Sequence, residues 1–235
     1  MTFAGEILAL DDASGAIRWR FGNDAPGRDS RRPSSPAASQ DTVYYGSADG
    51  KVFALDAATG TVRWTRALGS PIQTPLTLWG KTVSFGTEDR RVCRLDVRDG
   101  STVACRSFDE LPAGKPLVAG DSLIVLFGGS RSCCASIAAL DSSLRTRWVQ
   151  AAPDGSAWDT FRPAARGDAI LIGSDRGELF AFRLADGAKR WSRTFGGPVR
   201  SIGSANGILY VGTLNGTVYA YEPGADSLPP SAVRR

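Results

Sequence analysis

The stretch Ala54–Trp64, with the sequence ALDAATGTVRW, decides the fold of this chain because its pattern returns along the whole length. A strand ending in Ala-Leu-Asp is followed by a turn with Gly60 and then by Trp64. The leucine of this motif, or the aromatic residue that stands in its place, recurs at spacings of 45, 40, 45, 42 and 39 residues. A period of this length is typical of a four-stranded β-propeller blade. The anchors of the six copies are Leu10, Leu55, Leu95, Leu140, Phe182 and Tyr221.

Each copy contains further strand signals. Short β-branched or aromatic runs ending in glycine precede every copy except the first, as in Thr42–Gly46 and Ala169–Gly173. Turns such as Ser47–Gly50 follow these runs, and Gly, Asn and Asp tolerate the positive φ angles of tight hairpins. Proline-containing segments such as 33–36 and 71–75 come before the runs, and we expect one short inner strand there in each blade. Each repeat is therefore predicted to be a small antiparallel meander.

The repeated tryptophan and aspartate both have structural interpretations. The tryptophan could stack on a ligand, but its fixed place after the glycine turn favours packing between neighbouring blades, because large aromatic side chains dominate core burial. The aspartate is interpreted as a turn residue, since its carboxylate can accept hydrogen bonds from the backbone of its own turn.

Taken together, these residues resemble the pyrroloquinoline-quinone-like (PQQ-like) repeat of a β-propeller family. The copies at 42–64 and 168–191 are the best matches, and related copies cover nearly the whole chain. The resemblance implies an all-β fold, a β-propeller of about five to six four-stranded blades. It leaves the activity open, because this repeat occurs in quinoprotein dehydrogenases, in outer-membrane assembly lipoproteins of the BamB type and in sensor regions of bacterial kinases.

The two ends of the chain do not combine into one regular blade. The amino end offers two strands, about 6–11 and 16–21, and the carboxyl end offers three. Joining them gives five strands where four are expected, so we expect an incomplete or loosely closed ring. The predicted domains are a single PQQ-like β-propeller over 1–224 and a flexible C-terminal tail over 225–235.

The composition favours a substantial core and a solvated surface. Hydrophobic residues make up 42% of the 235 residues, and the formal net charge is +4. The basic excess is diffuse, whereas a nucleic-acid interface needs a clustered stripe with interleaved aromatics, so no nucleic-acid partner is predicted. No apolar run is long enough for a membrane-spanning segment, and no signal peptide is visible. The chain as written is predicted to be cytoplasmic, or extracytoplasmic if its true start lies upstream.

Two of the four cysteines flank the hairpin of the third copy. Ala104 replaces the tryptophan there, and a turn near 97–100 places Cys93 and Cys105 almost opposite each other. One interpretation is a cross-strand disulfide, which would indicate an oxidising compartment. The other is a pair of buried free thiols.

Resemblance to quinoprotein alcohol dehydrogenases draws attention to three other places. Those enzymes hold a vicinal disulfide beside the cofactor, whereas the hairpin setting of Cys133 and Cys134 favours a structural pair. Their carboxylate base corresponds to Ser130, which cannot act as that base at neutral pH. A segment after the fourth copy is similar to their Trp-x-x-Gln, Pro-x-Asp and Trp-Asp pattern with shortened spacings. Its residues are Trp148, Gln150, Pro153, Asp154, Trp158 and Asp159.

No set of residues forms a clear catalytic centre, so no catalytic, cofactor-binding or metal-binding residue is predicted. The chain contains no histidine, which excludes a Ser-His-Asp arrangement and weakens a metal site. The predicted function is a noncatalytic β-propeller scaffold that binds protein or peptide partners without a cofactor. The alternative is a PQQ-dependent alcohol or sugar dehydrogenase, or a truncated fragment of one, using PQQ with Ca²⁺.

Overall fold

The computed structural model describes residues 6–22, 34–128, 135–153 and 162–221, together with a strand at 231–233. The chain divides into two compact units, Met1–Pro112 and Ala113–Arg235. Regular structure in the described residues consists of β-strands in six antiparallel sheets, and no α-helix occurs among them.

Three sheets belong to the first unit. The first sheet has two strands, and the second and third have four strands hydrogen-bonded in chain order. This order is the antiparallel meander predicted from the repeats. The strands are β1 (Ile7–Leu10) and β2 (Ile17–Phe21); β3 (Ala37–Ala38), β4 (Thr42–Gly46), β5 (Lys51–Asp56) and β6 (Val62–Ala67); and β7 (Thr77–Trp79), β8 (Thr82–Gly86), β9 (Arg91–Asp96) and β10 (Thr102–Ser107).

The second unit repeats this plan in three four-stranded sheets, again in chain order. The fourth sheet contains β11 (Pro112–Ala119), β12 (Ser122–Phe127), β13 (Ser136–Leu140) and β14 (Thr146–Ala151). The fifth contains β15 (Ala164–Arg166), β16 (Ala169–Gly173), β17 (Glu178–Arg183) and β18 (Lys189–Thr194). The sixth contains β19 (Val199–Ala205), β20 (Ile208–Thr213), β21 (Val218–Tyr221) and β22 (Ser231–Val233).

The hairpin that carries the repeated motif contains a β-bulge in each of the first five sheets. In the second sheet Ala54 pairs with Trp64 and Leu55 pairs with Val62, so Arg63 is the extra residue. A bulge bends its strand and re-aims the neighbouring side chains. It therefore sets where the tryptophan that follows meets the next sheet along the chain.

That tryptophan locks its sheet to the turn of the next sheet. The Trp64 indole Nε1 donates a 3.0 Å hydrogen bond to the carbonyl oxygen of Val97. The ring lies against Gly100, where an added Cβ would come within 2.6 Å of it. We call this arrangement the tryptophan clamp. It recurs between Trp19 and the Ala57 carbonyl with Gly60, and between Trp148 and the Leu184 carbonyl with Gly187.

The buried core lies between neighbouring sheets within each unit. In the first unit, Tyr44 of the second sheet packs in one cluster with Phe85 and Leu95 of the third. In the second unit, Ile137 of the fourth sheet packs with Phe180 of the fifth. Within each unit, neighbouring sheets thus bury apolar side chains against each other, which is the packing predicted for blades.

The structure departs from the sequence-based expectation in two places. The inner strands β3 and β7 begin after the proline segments 33–36 and 71–75 rather than within them, whereas the inner strand β11 contains both Pro112 and Pro116. Residues 231–233, inside the range predicted to be a flexible tail, form β22 and pair with β21. This pairing supplies hydrogen bonds to an edge of β21 that would otherwise be open. Whether the blades close into a ring stays a prediction.

The clamp predicts a large difference between two glycines of the second unit. An added Cβ at Gly187 would come within 2.5 Å of the Trp148 ring, whereas at Gly167 it would meet nothing within 4 Å. Both residues have positive φ, +73° and +56°. We expect Gly167→Ala to cost about 1–2 kcal/mol from the left-handed backbone alone. Gly187→Ala should cost about 1–3 kcal/mol more, because it also overpacks the clamp.

Urea unfolding followed by tryptophan fluorescence measures both free energies of unfolding. An equal decrease in the free energy of unfolding of the two variants would show that the Trp148 ring does not pack tightly against Gly187.

Candidate functional site

An arginine–aspartate pair accompanies the repeated tryptophans. The bulge residue before the tryptophan is arginine in four sheets, and each arginine contacts an aspartate of its own sheet. Arg63, for example, donates hydrogen bonds to Asp41 at 3.0 Å and to Asp56 at 2.8 Å. Exposed pairs of this kind contribute at most about 1 kcal/mol each. The others are Arg18–Asp11, Arg147–Asp121 and Arg190–Asp168.

The repeated aspartates are turn residues, as the sequence predicts. Asp56 Oδ1 accepts hydrogen bonds from the backbone N–H groups of Ala58 and Thr59, both at 3.0 Å. Hydrogen bonds from Arg63 and then from Thr59 lower the pKa of Asp56 to about 2. A general base works best when its pKa lies near the working pH. These carboxylates therefore stabilise turns and are poor candidates for catalysis at neutral pH.

The third sheet lacks both the clamp tryptophan and the arginine–aspartate pair. Ala104 stands at the tryptophan position, and Lys81 replaces the aspartate. Arg94 replaces the usual alanine, and its guanidinium carbon lies 4.1 Å from the ring centroid of Trp79. Its Nη2 donates a 2.8 Å hydrogen bond to Thr82 Oγ1. Burial lowers the pKa of Arg94, and the aromatic and hydroxyl contacts offset part of its lost hydration.

A disulfide joins Cys93 and Cys105 in the same sheet. The two residues are direct partners in the β9–β10 ladder, and their Cα atoms are 4.1 Å apart. Of the two interpretations left open by the sequence, the cross-strand disulfide is confirmed and the pair of free thiols is wrong. The disulfide links the two strands of the hairpin in which Ala104 replaces the tryptophan, so a covalent bond is present where the aromatic packing is lost.

Trp191 occupies the clamp position of the fifth sheet, and the turn that would receive it, after Tyr221, lies outside the described residues. It is 38% exposed, whereas Trp148, at the same position one sheet earlier, is 8% exposed. No described residue accepts a hydrogen bond from the Trp191 indole N–H. The packing role expected for every repeated tryptophan therefore stays a prediction for this one.

Trp191 lines a cavity of about 840 Å³ formed by residues of the fifth and sixth sheets. We call this cavity the Trp191 groove. Leu171 and Leu209, both buried, give it an apolar base, and the ring of Tyr221 forms a second aromatic surface. A volume of this size is in the range of small-molecule and peptide-side-chain sites.

Three arginines line the groove, and each has a different environment. Arg190 forms a bidentate pair with Asp168. The guanidinium carbon of Arg193 lies 4.7 Å from the ring centroid of Tyr221. Arg166 donates to a backbone carbonyl of the β19–β20 turn, and it has no carboxylate partner among the described residues.

The sequence analysis identified none of the groove residues as a site. One available signal was the dipeptide Arg-Trp, which occurs at four of the repeated positions and marks the bulge with its ion pair. A second was Tyr221, which replaces the anchor leucine in the last copy. Neither signal indicates that Trp191 is more exposed than Trp148, because exposure depends on groups in another sheet.

The residues suggested by the resemblance to quinoprotein dehydrogenases are only partly described. Trp148 is a clamp residue, so its role here is packing. Ser130, Cys133, Cys134 and the segment 154–159 lie outside the described residues, and the statements made about them stay predictions.

Within the described ranges, no group of three or more His, Cys, Asp or Glu side chains is arranged to hold a metal ion. The same ranges contain no helix of sufficient length and apolarity to cross a membrane.

The six sheets and their clamps define an all-β protein of the β-propeller class, built from PQQ-like repeats, as predicted. Residues 4–223 match the family model described as outer membrane protein assembly factor BamB. The chain belongs to this family. No curated protein sequence matches it.

The solved structures that are similar to the chain include one BamB protein and two quinohemoprotein alcohol dehydrogenases. BamB from Moraxella catarrhalis has 25% sequence identity and a TM-score of 0.68, over 97% of this chain and 68% of that one. The quinohemoprotein alcohol dehydrogenase ADHIIG from Pseudomonas putida has 16% identity and a TM-score of 0.68, over 85% of this chain. The quinohemoprotein alcohol dehydrogenase from Comamonas testosteroni has 15% identity and a TM-score of 0.64, over 80% of this chain. The chain spans 41% of the length of either dehydrogenase, and these two likenesses are of fold alone.

The disulfide predicts a redox-dependent stability. The double variant Cys93→Ala/Cys105→Ala should lose about 3 kcal/mol, because the bridge closes a short loop in the unfolded chain. Reductant should lower the melting temperature of the wild type and leave that of the double variant unchanged. Mass spectrometry of unreduced digests should find a peptide linked through these two residues, and four free thiols in fresh protein would contradict the assignment.

Proposed function

We propose that this chain is a noncatalytic β-propeller module that binds a protein or peptide partner as a scaffold. The observation that carries this proposal is its membership of the BamB family over residues 4–223. BamB is described as an outer membrane protein assembly factor, and assembly of proteins needs contact surfaces rather than bond-making groups. The similarity to the Moraxella catarrhalis protein over 97% of this chain supports the same proposal.

The electrostatics of the described residues also favour binding over catalysis. The resolved pKa shifts of the described aspartates are downward, with arginine side chains and turn backbone as the main lowering contacts. A carboxyl group that works as an acid or base at neutral pH needs its pKa moved upward. The carboxylates are therefore suited to holding turns in place, while the Trp191 groove provides a surface for a partner.

The dehydrogenase alternative has weaker support. The two dehydrogenase structures share 16% and 15% identity with the chain, and the chain spans less than half of each. The positions that correspond to their base and vicinal disulfide, Ser130 and Cys133–Cys134, lie outside the described residues. We therefore assign no residue to quinone or calcium, and the absence of a cofactor is part of the proposal.

We also infer that the chain works in an oxidising compartment outside the cytoplasm. The disulfide between Cys93 and Cys105 supports this inference, because disulfides persist mainly in such compartments. Of the two locations considered from the sequence, the disulfide favours the extracytoplasmic one.

The binding function is tested by crosslinking the tagged chain in cells of its native host and identifying the proteins that remain attached. We expect one protein partner in constant ratio to the chain, and the complex should persist in gel filtration after purification. In a parallel assay, PQQ and calcium are added to the purified chain with alcohols and a redox dye. A stable complex without dye reduction supports the proposal, and sustained dye reduction would overturn it.

The compartment is tested by trapping thiols in intact cells before lysis. We expect Cys93 and Cys105 to be protected from the trapping reagent until reductant is added. The matched control is a cytoplasmic protein of the same cells, whose thiols should be labelled at once. Labelling of Cys93 and Cys105 without reductant would place the chain in a reducing compartment.

A further inference from the structure

We propose that the turn at 11–15 in the first sheet, which we call the Gly15 turn, is a docking site for a tryptophan side chain of a partner protein. The inference rests on the proposed function, because it names one contact surface of the scaffold and the chemistry of the partner segment that binds there. The tryptophan clamps within the chain show the geometry of such a contact. The Gly15 turn has this geometry on an exposed surface.

The clamps define what kind of turn receives a tryptophan. In each clamp, the indole N–H donates to the carbonyl oxygen two residues after the anchor, and the ring covers the glycine five residues after it. An added Cβ on that glycine would come within 2.5 to 2.7 Å of ring atoms, and its φ angle lies between +70° and +75°. The glycines of the receiving turns are Gly60, Gly100 and Gly187.

The Gly15 turn has the same internal hydrogen bonds as the receiving turn of Gly60. The Gly15 amide donates to the Asp11 carbonyl oxygen at 2.8 Å, and the Gly60 amide donates to that of Asp56 at 2.8 Å. Asp11 Oδ1 also accepts hydrogen bonds from the backbone N–H and the hydroxyl of Ser14, both at 2.9 Å. The φ angle of Gly15 is +70°. The receiving surface is therefore formed before any tryptophan arrives.

The Gly15 turn differs from the receiving turns in being exposed. Its anchor, Leu10, is 56% exposed, whereas the anchor Leu55 of the second sheet is completely buried. Gly15 itself is exposed, and an added Cβ there would meet nothing within 4 Å, whereas Gly100 is buried under the Trp64 ring. No described residue donates a hydrogen bond to the carbonyl oxygen two residues after Leu10. A docked indole would bind this acceptor and remove apolar surface from water.

The other copies of the repeat show that a glycine at this position accompanies a tryptophan. The copy before each receiving turn ends in a clamp tryptophan, whereas the third copy has Ala104. The fourth copy has Arg145 in place of the glycine, and Leu144 takes the positive φ of its turn, +61°. The meander can therefore turn without this glycine. The corresponding turn of the sixth copy lies outside the described residues. Because the first copy keeps Gly15, we expect a tryptophan from elsewhere to cover it.

The charge of the Gly15 turn selects a basic neighbour for the incoming tryptophan. Asp12 is exposed and has no ion pair among the described residues, while Asp11 is already paired with Arg18. Arg20, on the same face, pairs in the ladder with Leu8, farther from the turn. A guanidinium or ammonium group beside the tryptophan would therefore pair with Asp12. The receiving turns have uncharged side chains at the position of Asp12, namely Ala57, Val97 and Leu184.

A clamp inside the chain shows that such a basic side chain can reach the receiving hairpin. Arg66 comes two residues after Trp64, and its Nη2 donates a 3.2 Å hydrogen bond to Thr102 Oγ1 of the next sheet. The Thr102 hydroxyl belongs to the hairpin whose turn contains Gly100. The partner segment is therefore an extended strand with a tryptophan and, close to it, an arginine or lysine.

The test uses the peptide Thr-Val-Arg-Trp-Thr-Arg-Ala, which has the sequence of residues 61–67 and is acetylated and amidated at its ends. This is the strand that the chain itself docks on the turn of Gly100. Binding to the whole chain is followed in ¹H–¹⁵N spectra. We expect a saturable shift of the Gly15 amide signal, with an affinity that falls as salt is added because a charge pair is involved.

Matched peptides separate the two parts of the proposal. Replacing the tryptophan of the peptide with alanine should weaken binding at least tenfold, since both the ring and its N–H donor are lost. Replacing its two arginines with glutamine should weaken binding less and remove the dependence on salt.

A matched pair of variants tests the site in the chain. Gly15→Asn should abolish the shift, because asparagine tolerates a positive φ but its side chain would stand where the ring docks. The control is Gly69→Asn in the same unit, at an exposed glycine with φ +74° and nothing within 4 Å of an added Cβ. It should bind the peptide like the wild type. Similar melting temperatures of the two variants would separate loss of the site from loss of the fold.

The same variants test the protein partner in cells. We expect the partner to be retained by Gly69→Asn and at least tenfold less by Gly15→Asn. A photoreactive residue placed at Ala13, which is exposed, should crosslink to a tryptophan-containing peptide of that partner.

Several results would overturn the proposal. They are equal binding of the peptide and its alanine version, no saturable shift at any peptide concentration, and equal effects of Gly15→Asn and Gly69→Asn. Dimerisation of the chain that Gly15→Asn abolishes would overturn it too, because a second copy would then be the occupant. Crosslinks from position 13 to the same polypeptide would show that the protein covers this turn itself.

The proposed function can survive such a failure. If the crosslinked protein partner is retained equally by Gly15→Asn and Gly69→Asn, the docking site is wrong and the scaffold function stands. If no protein partner is found, both are wrong.

Discussion

The tryptophan clamp is the interaction on which the rest of this structure depends. A small sheet has two faces, and each face must be covered by another element. The clamp covers them by placing the largest apolar side chain of one sheet on a glycine of the next, with the indole N–H bonded to a backbone carbonyl. The glycine must lack a Cβ and adopt a positive φ, which explains why the turn and the tryptophan recur together in the sequence.

Among the described residues, the third and fifth sheets have the motif hairpin but no clamp to a following sheet. In the third sheet, Ala104 removes the tryptophan, and the disulfide between Cys93 and Cys105 joins the same pair of strands. In the fifth sheet, Trp191 is present but is left without its turn among the described residues. The first departure is compensated within the sheet, whereas in the second Trp191 is 38% exposed beside the arginines that line the groove. A scaffold can gain a binding surface in this way without any special catalytic residue.

Local features of the sequence predicted much of the fold. Aspartates such as Asp56 were identified as turn residues because their hydrogen bonds stay within a few residues. Cys93 and Cys105 were placed opposite each other because register within one hairpin follows from the length of its turn. The inner strands β3 and β7 were placed a few residues too early, whereas the inner strand of the fourth sheet, β11, lies where a proline segment was found. The strand at 231–233 was missed because it pairs with β21 across a connection that contains no strand signal.

By itself, the sequence determined the repeat, the antiparallel meander of each sheet and the residues of each turn, because these depend on contacts between residues close together in the chain. The tertiary structure alone showed that Trp19, Trp64 and Trp148 are clamped and that Trp191 is more exposed than Trp148. A clamp needs a carbonyl and a glycine from another sheet, with the carbonyl 33 to 38 residues away in the chain. Trp148 and Trp191 follow the same Arg-Trp pattern in sequence, and their different exposure, 8% against 38%, arises only when the neighbouring sheet is in place.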